Sequence, residues 1–285
     1  MSQSVIDFHI HVQPFHMLKP EVRETFWKGK SNRAELEAMA TDPKRLLAHM
    51  DREGVESVGL INYVSPDVMG FTADCNDWML AFAKEAPDRL LAFGSVHPAF
   101  TQTVGDDARR LVDRGIRAFK VHPPHQQFEC NAYLGSLPQL AELYAVAEES
   151  GLPVTIHTGT SIFPGARSRL GQPMDVDDVA VDFPKMTILL AHGGRPLWMD
   201  EAFFVVRRHP RVYLEISGIP PQRLLEWFPR LEEIASKTVW GTDWPSPGVP
   251  SMRQNVDQFL ALPLKEETKV AILSGNANKI FTMKA

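Results

Sequence analysis

Val-Ile-Asp-Phe-His-Ile-His-Val, at residues 5–12, has the apolar and β-branched content of a buried β-strand. Because side chains alternate along a strand, His9 and His11 project to the same side of it. Two neutral imidazoles that converge from one face form half of a metal site. Two polar residues at the end of a strand are the alternative interpretation, and the remainder of the chain must distinguish the two.

The composition of the 285 residues is that of an ordinary globular protein, with a net charge of −5. That balance gives no general attraction to nucleic acid or to anionic membranes. Cys75 and Cys130 are too few for a disulfide framework and lack the spacing of a thiolate metal site, which indicates free thiols in a reducing compartment. The N-terminus lacks the pattern of a secretion signal, and no apolar run approaches membrane-spanning length. We therefore expect a cytoplasmic protein that binds neither nucleic acid nor membranes.

Eight predicted strands are each followed by a predicted helical segment, such as the helix expected near residues 223–235 between the last two strands. The strands are expected at residues 5–12, 57–64, 90–97, 118–122, 154–157, 187–191, 212–216 and 238–241. Strands such as residues 187–191 are almost continuously apolar, which indicates that helices cover both faces of a parallel sheet. Eight such units predict a (β/α)₈ TIM barrel. A doubly wound open sheet is the alternative, but no glycine-rich phosphate-binding turn follows the first strand.

No change in composition divides the chain, so we expect a single domain over residues 1–285. Residues 13–41 form a long polar stretch that contains Pro14 and Pro20. A compact domain rarely contains so long a connection without a purpose. We interpret it as a lid over a site or as a disordered insertion.

Histidine, lysine and aspartate residues concentrate where the predicted strands end. They are His9, His11, His97, Lys120, His122, His157, His192 and Asp243. The carboxyl ends of the strands carry the active site of a TIM barrel. His9, His11, His157 and Asp243 provide the imidazole and carboxylate ligands that a catalytic divalent ion such as Zn²⁺ uses. His192 can stand beside the metal-bound water as a base or a hydrogen-bond donor, or can be a core histidine bonded to the backbone.

Five segments, in this order, resemble the motifs of the amidohydrolase superfamily. They lie at residues 7–11, 151–157, 191–194, 241–245 and 275–281. More narrowly, the chain resembles the amidohydrolase-related group that includes aminocarboxymuconate semialdehyde decarboxylase, γ-resorcylate decarboxylase and several TIM-barrel hydrolases. The resemblance implies one Zn²⁺, or another divalent ion such as Mn²⁺, held by His9, His11, His157 and Asp243. It further implies that His192 activates or orients the metal-bound water, that Asp243 also shuttles a proton, and that the chain forms a homodimer.

Lys120 occupies the strand-four position at which binuclear amidohydrolases carry a carbamylated lysine that bridges two ions. A contact to a substrate carboxylate or a salt bridge at the barrel mouth are the alternatives. His122, His125 and Arg195 are candidates for binding an anionic substrate, and arginine can clamp a carboxylate with two hydrogen bonds. Trp244 is a candidate for an apolar wall beside a ring or a conjugated chain.

Three functions remain compatible with the sequence. The first is a metal-dependent hydrolase that acts on a small carboxylated or cyclic substrate, such as a lactone, an amide or an ester. The second is a non-oxidative decarboxylase (carboxy-lyase) of an aromatic or muconate-type acid. The third is a metal-free binding protein on the same barrel, which we disfavour because every position expected to bind the metal retains a competent side chain.

Overall fold

The computed structural model describes residues 4–282, and eight parallel strands form its centre. The strands are β1 Ile6–Ile10, β2 Ser57–Leu60, β3 Leu90–Gly94, β4 Ala118–Val121, β5 Val154–His157, β6 Ile188–Ala191, β7 Val212–Glu215 and β8 Thr238–Val239. They pair in chain order, from β1 with β2 to β7 with β8. Each is buried along almost its whole length, as the apolar composition predicts.

Backbone hydrogen bonds between β1 and the segment that follows β8 close the sheet. The amide of Phe8 donates to the carbonyl of Trp240 at 3.0 Å, and the amide of Asp243 donates to the carbonyl of His9 at 2.8 Å. The order of the strands and this closure confirm the predicted (β/α)₈ barrel. The carboxyl ends of all eight strands consequently face the same end of the molecule.

Helices connect the strands and surround them. The α-helices are α1 Pro20–Trp27, α2 Arg33–Thr41, α3 Pro43–Glu53, α4 Asp74–Ala83, α5 Val104–Asp113, α6 Pro123–Gln126, α7 Leu140–Ser150, α8 Asp175–Asp182, α9 Met199–Arg208, α10 Leu224–Trp227, α11 Met252–Leu260, α12 Glu266–Val270 and α13 Asn276–Thr282. The side chain of Asp42 caps α3 by accepting a hydrogen bond from the amide of Lys44 at 3.0 Å. Within residues 4–282, no helix has the length and apolar character needed to cross a bilayer.

Residues 13–41 are helical rather than disordered, so the disordered-insertion interpretation is wrong. Helices α1 and α2 lie in this segment, and the side chains of Phe26 and Trp27 are buried. The ring of Phe15 packs 5.1 Å from that of Phe26 and 4.9 Å from that of Trp27. The ammonium of Lys30 donates a hydrogen bond to the carbonyl of Pro245 in the loop after β8. The segment is therefore ordered by an aromatic cluster of its own and attached to the end of the barrel that carries the strand termini.

The helix predicted over residues 223–235 is interrupted in the structure. Helix α10 ends at Trp227, and a 3₁₀ helix covers Leu231–Lys237. Phe228 precedes Pro229 and adopts φ −127° and ψ 71°, outside the helical region. Proline disfavours the helical conformation of the residue before it, and this accounts for the interruption.

Candidate active site

A cavity of about 410 Å³ lies at the carboxyl ends of the strands. Side chains from six of the eight strand ends line it, together with Phe26 of helix α1. These strand-end residues include His11, Tyr63, His122, His157, His192 and Asp243. The cavity therefore brings together residues that are far apart in the sequence, at the place where the barrel fold predicts a site.

His9, His11 and Asp243 converge on one point beside this cavity. The two imidazole Nε2 atoms are 3.3 Å apart, and Oδ1 of Asp243 lies 3.4 Å from Nε2 of His9 and 3.1 Å from Nε2 of His11. Ligands about 2.0–2.1 Å from a tetrahedral ion are about 3.3 Å from one another. These separations fit a divalent cation at the point of convergence.

The carboxylate of Glu215, on β7, fixes the orientation of His9. Its Oε2 atom lies 2.7 Å from Nδ1 of His9, and its two oxygens accept hydrogen bonds from the amide and the hydroxyl of Ser217 at 2.6 and 2.9 Å. Burial lowers the pKa of His9, so the ring is neutral and its single proton belongs on Nδ1, toward Glu215. The lone pair on Nε2 consequently faces His11 and Asp243. Only glycine fits at position 241, because a Cβ there would lie 2.5 Å from Oε1 of Glu215.

His192 follows β6, and its ring is oriented by Ser217, which follows β7. Its Nδ1 atom lies 2.8 Å from the carbonyl of Ser217, which leaves Nε2 free. Potential ligand atoms of His9, His192 and Asp243 all lie within 4.8 Å of one another. His192 and Asp243 both have φ +68°, a left-handed conformation that is strained for residues other than glycine and typical of functional sites.

Among residues 4–282, His157 and Lys120 have buried polar atoms that form no hydrogen bond. Both side chains are buried, and among residues 4–282 neither ring nitrogen of His157 nor Nζ of Lys120 has a hydrogen-bond partner. The ring of His157 lies 3.9 Å from that of His122 and 4.7 Å from that of His192. Buried polar groups are normally hydrogen-bonded, so these atoms are available to a ligand.

Burial and neighbouring charges set the protonation of the site. Burial alone would raise the pKa of Asp243, but the hydrogen bond and the charge of His11, with His9 and Arg195, hold it well below its usual range. Asp243 is therefore a carboxylate at neutral pH. Nη2 of Arg195 lies 3.5 Å from its Oδ2 atom. Burial lowers the pKa of Lys120 and of Arg195.

The residues predicted to contact substrate are divided between two places. His122, His125 and Arg195 line the cavity. Trp244 does not line it: its side chain is 1% exposed and stacks on the ring of His49 at 4.8 Å. The loop after β8 turns this side chain away from the cavity, into the packing between the barrel and α3.

Tyr63 and Ser161 also line the cavity, and neither was predicted from the sequence. The hydroxyl of Tyr63 lies 2.6 Å from Nδ1 of His125, and Oγ of Ser161 lies 2.7 Å from Nε2 of the same ring. An isolated tyrosine or serine near a strand end carries no motif, and only the position of Tyr63 at the end of the second strand could have indicated it.

Comparison with known proteins identifies relatives by family and by fold. The family model described as amidohydrolase matches residues 6–283. No functionally curated protein matches the chain significantly.

Three solved structures share the fold across almost the whole chain. A TIM-barrel protein from Bordetella bronchiseptica superposes with a TM-score of 0.75 at 23% identity, covering 97% of this chain and 98% of that one. A 5-carboxyvanillate decarboxylase from Novosphingobium aromaticivorans, in complex with manganese and 4-hydroxy-3-methoxy-5-nitrobenzoic acid, gives 0.69 at 15% identity, with 99% and 97% covered. A probable 2-pyrone-4,6-dicarboxylic acid hydrolase from Acinetobacter baumannii, with citric acid bound, gives 0.64 at 15% identity, with 98% and 100% covered.

Proposed function

The chain belongs to the amidohydrolase family, and from this premise we propose that it is a metal-dependent hydrolase of a small carboxylated or cyclic substrate, such as a lactone, an amide or an ester. The convergence of His9, His11 and Asp243 on one point is the observation that carries the proposal. Among residues 4–282, the buried side chains of His157 and Lys120 have polar atoms without a partner, and packing alone explains this poorly.

We assign His9, His11, His157 and Asp243 as the ligands of one divalent ion, with Zn²⁺ as the first candidate and Mn²⁺ as the second. An ion held there supplies Lewis acidity toward a substrate carbonyl and toward water. The proximity of His192 to His9 and Asp243 supports a place for its free Nε2 atom next to the reacting water. Lys120 becomes a bridge between two ions if it is carbamylated, and otherwise a substrate contact.

The other roles of the side chains are substrate binding and proton transfer. Asp243 is ionised and can accept a proton from the attacking water and return it to the leaving atom. His192 can donate or accept a hydrogen bond at that water through Nε2. Arg195 lines the same cavity, and among residues 4–282 its Nε atom has no partner, so it is suited to clamp a substrate carboxylate.

Decarboxylation of an aromatic or muconate-type acid is the second candidate. The cavity that contains Arg195 and the histidines suits a planar acid, and one protein of the same fold is a decarboxylase seen with manganese and a nitrobenzoic acid. In this reaction a protonated side chain delivers a proton to carbon as carbon dioxide leaves.

Elemental analysis of the undialysed protein, followed by product analysis, tests the proposal. We expect about one zinc or manganese ion per chain, and its loss from a His157→Ala, Asp243→Ala double variant. Carboxylated lactones and hydroxylated aromatic acids are then supplied to the metal-loaded protein while base uptake and carbon dioxide are monitored. We expect acid release without carbon dioxide, and neither in Asp243→Asn, whereas Asp113→Asn, an exposed aspartate far from the cavity, serves as the control.

Each other result leads to a definite conclusion. Carbon dioxide release would replace the hydrolase with the decarboxylase. Close to two ions per chain would assign Lys120 as the carbamylated bridge. A protein that contains no metal and cannot be reconstituted would refute metal-dependent catalysis and return attention to a metal-free binding protein.

A further inference from the structure

Tyr63, His125 and Ser161 form a hydrogen-bonded chain at the edge of the cavity that the proposed reaction does not use. The hydroxyl of Tyr63 lies 2.6 Å from Nδ1 of His125, and Nε2 of that ring lies 2.7 Å from Oγ of Ser161. Tyr63 and His125 are buried, while Ser161 is partly exposed. Ser65 holds the backbone of His125 by donating its hydroxyl to the carbonyl at 2.7 Å.

The hydrogen-bonding capacity of these groups fixes the direction of the chain. Burial lowers the pKa of His125 to about 3, so the ring is neutral and carries one proton. If that proton were on Nδ1, the buried phenol of Tyr63 would lose the acceptor for its own proton, and among residues 4–282 no other acceptor bonds it. A buried donor without a partner is costly. The proton therefore belongs on Nε2, with Tyr63 donating to Nδ1 and Nε2 donating to Ser161.

With the chain in this direction, the only further hydrogen bond that the Ser161 hydroxyl can form is one that it donates. Its oxygen accepts from Nε2 of His125 and, at 3.3 Å, from the amide of Phe163, which occupies both lone pairs. Among residues 4–282 no acceptor takes its own proton, and the side chain lines the cavity. Ser161 can therefore donate a hydrogen bond to a bound molecule but cannot accept one.

We propose that Ser161, oriented by His125 and Tyr63, is a specificity residue that binds a second oxygen acceptor of the substrate, a carboxylate or a carbonyl, on the opposite side of the His122 ring from His157. This rests on the proposed function, because it assumes that the first oxygen group of the same substrate faces His157 and Asp243. The substrate class is thereby narrowed to small acids with oxygen functions at both ends.

A stack of three imidazole rings sets the distance between the two oxygen groups of the substrate. His122 lies between His157 and His125, with ring centroids 3.9 and 3.7 Å away, and the outer two rings are 6.3 Å apart. Ser161 adjoins the outermost ring, so the two oxygen groups are separated by about the width of one small ring. A planar acid with its oxygen groups in a 1,3 or 1,4 relation meets this requirement.

Calorimetric titration of the metal-loaded protein with three matched probes tests the inference. The probes are benzoate, benzene-1,3-dicarboxylate and 3-(aminomethyl)benzoate, which differ only in the second group. We expect the wild-type protein to bind the dicarboxylate at least roughly tenfold more tightly than benzoate, the effect of one hydrogen bond to a charged group, and to gain nothing from the ammonium. Ser161→Ala should abolish the preference and leave benzoate binding unchanged.

Two further variants separate the hydrogen-bonded chain from a merely steric effect. Tyr63→Phe should weaken the preference, because His125 can then take either tautomer and Ser161 can donate to it instead. Ser246→Ala removes another serine hydroxyl from the same cavity and should retain the full preference. Equal preference in Ser161→Ala and the wild-type protein, or no binding of the dicarboxylate to the wild-type protein, would refute the inference.

Metal content measured on the same samples keeps this result separate from the proposed function. A wild-type protein that contains metal and prefers the dicarboxylate, but hydrolyses nothing, supports the role of Ser161 and refutes the hydrolase. Hydrolysis by a protein that binds all three probes equally gives the reverse conclusion.

Discussion

Glu215 determines which nitrogen of His9 is free, and so connects a buried carboxyl group on β7 to the proposed metal site on β1. Replacing it with glutamine keeps the volume but places an amide, which can donate as well as accept, where a carboxylate oxygen faces Nδ1 of His9. Because such partners orient and strengthen histidine ligands, we expect Glu215→Gln to reduce the affinity for zinc by about 10- to 100-fold in a chelator competition assay. Glu226→Gln, an exposed glutamate, is the control. Equal zinc affinity in Glu215→Gln and the wild-type protein would exclude this role.

His97 provides a prediction for acid stability that does not involve the metal. Burial lowers its pKa to about 4 from the usual 6.5. Between these values the unfolded chain binds a proton that the folded chain does not, so the free energy of unfolding falls as the pH falls from 6.5 to 4. His97→Gln should make that fall shallower by up to roughly 1.4 kcal/mol per pH unit in urea unfolding series. The exposed His16→Gln should retain the wild-type slope.

At the scale of the residue, strand-end positions of histidine and aspartate were predictable and their contacts were not. The alternation of residues along a strand placed His9 and His11 on one side, and their Nε2 atoms lie 3.3 Å apart. The role of Ser161 depends on a tautomer of His125, which three-dimensional contacts determine and spacing does not. The prediction that Trp244 lines the cavity was wrong, because a residue next to Asp243 in the sequence can still point away from the cavity.

At the scale of the element, Lys30 links the segment that carries α1 and α2 to the loop after β8. Its ammonium donates to the carbonyl of Pro245, and Phe26 in the same segment lines the cavity. If the segment is a lid, Lys30→Ala should raise the KM severalfold and speed proteolysis within residues 13–41, with little change in global stability. Lys28→Ala is the matched control, because Lys28 is exposed in the same turn. Identical KM values and cleavage rates in the two variants would remove the evidence for a lid.

Helices α1 and α2 were not predicted, because proline and charged residues obscure the short apolar pattern of residues 13–41. The segment that contains these helices is held in place by a cluster of Phe15, Phe26 and Trp27, whose rings pack 4.8–5.1 Å apart. Tertiary packing of this kind outweighs weak local propensity. The prediction of one continuous helix over residues 223–235 was wrong for a local reason. Pro229 disfavours the helical conformation of Phe228, and the sequence alone could have indicated this.

At the scale of the whole molecule, the barrel was predictable because eight strands of one buried type alternate with helices, and few architectures accommodate that pattern. Closure is the step that the pattern does not specify. It depends on contacts between β1 and the segment after β8, which are more than two hundred residues apart. Those same contacts place His9 and Asp243 side by side, so closure of the barrel and assembly of the site are one event.

Asp7 tests that conclusion, because its carboxyl group links β1 to the segment after β8. Its Oδ1 atom accepts from the amides of Thr242 and His9 at 2.9 and 3.2 Å, and its Oδ2 atom accepts from the Thr242 hydroxyl at 2.6 Å. Asp7→Ala leaves three buried donors without an acceptor, and we expect a loss of about 3 kcal/mol or more in the free energy of unfolding. Measurements on metal-free protein separate this loss from effects of metal binding.

Amide hydrogen exchange identifies the strands that Asp7→Ala destabilises. If Asp7 stabilises the closure, the amides of Phe8, His11 and Asp243, which bridge β1 and the segment after β8, should exchange faster in Asp7→Ala, while those between β4 and β5 change less. Asp113→Ala removes an exposed aspartate and should leave both sets unchanged. Uniform acceleration in all strands would mean that Asp7 supports the barrel as a whole rather than its closure. The proposed metal site would then not depend specifically on the contacts of Asp7.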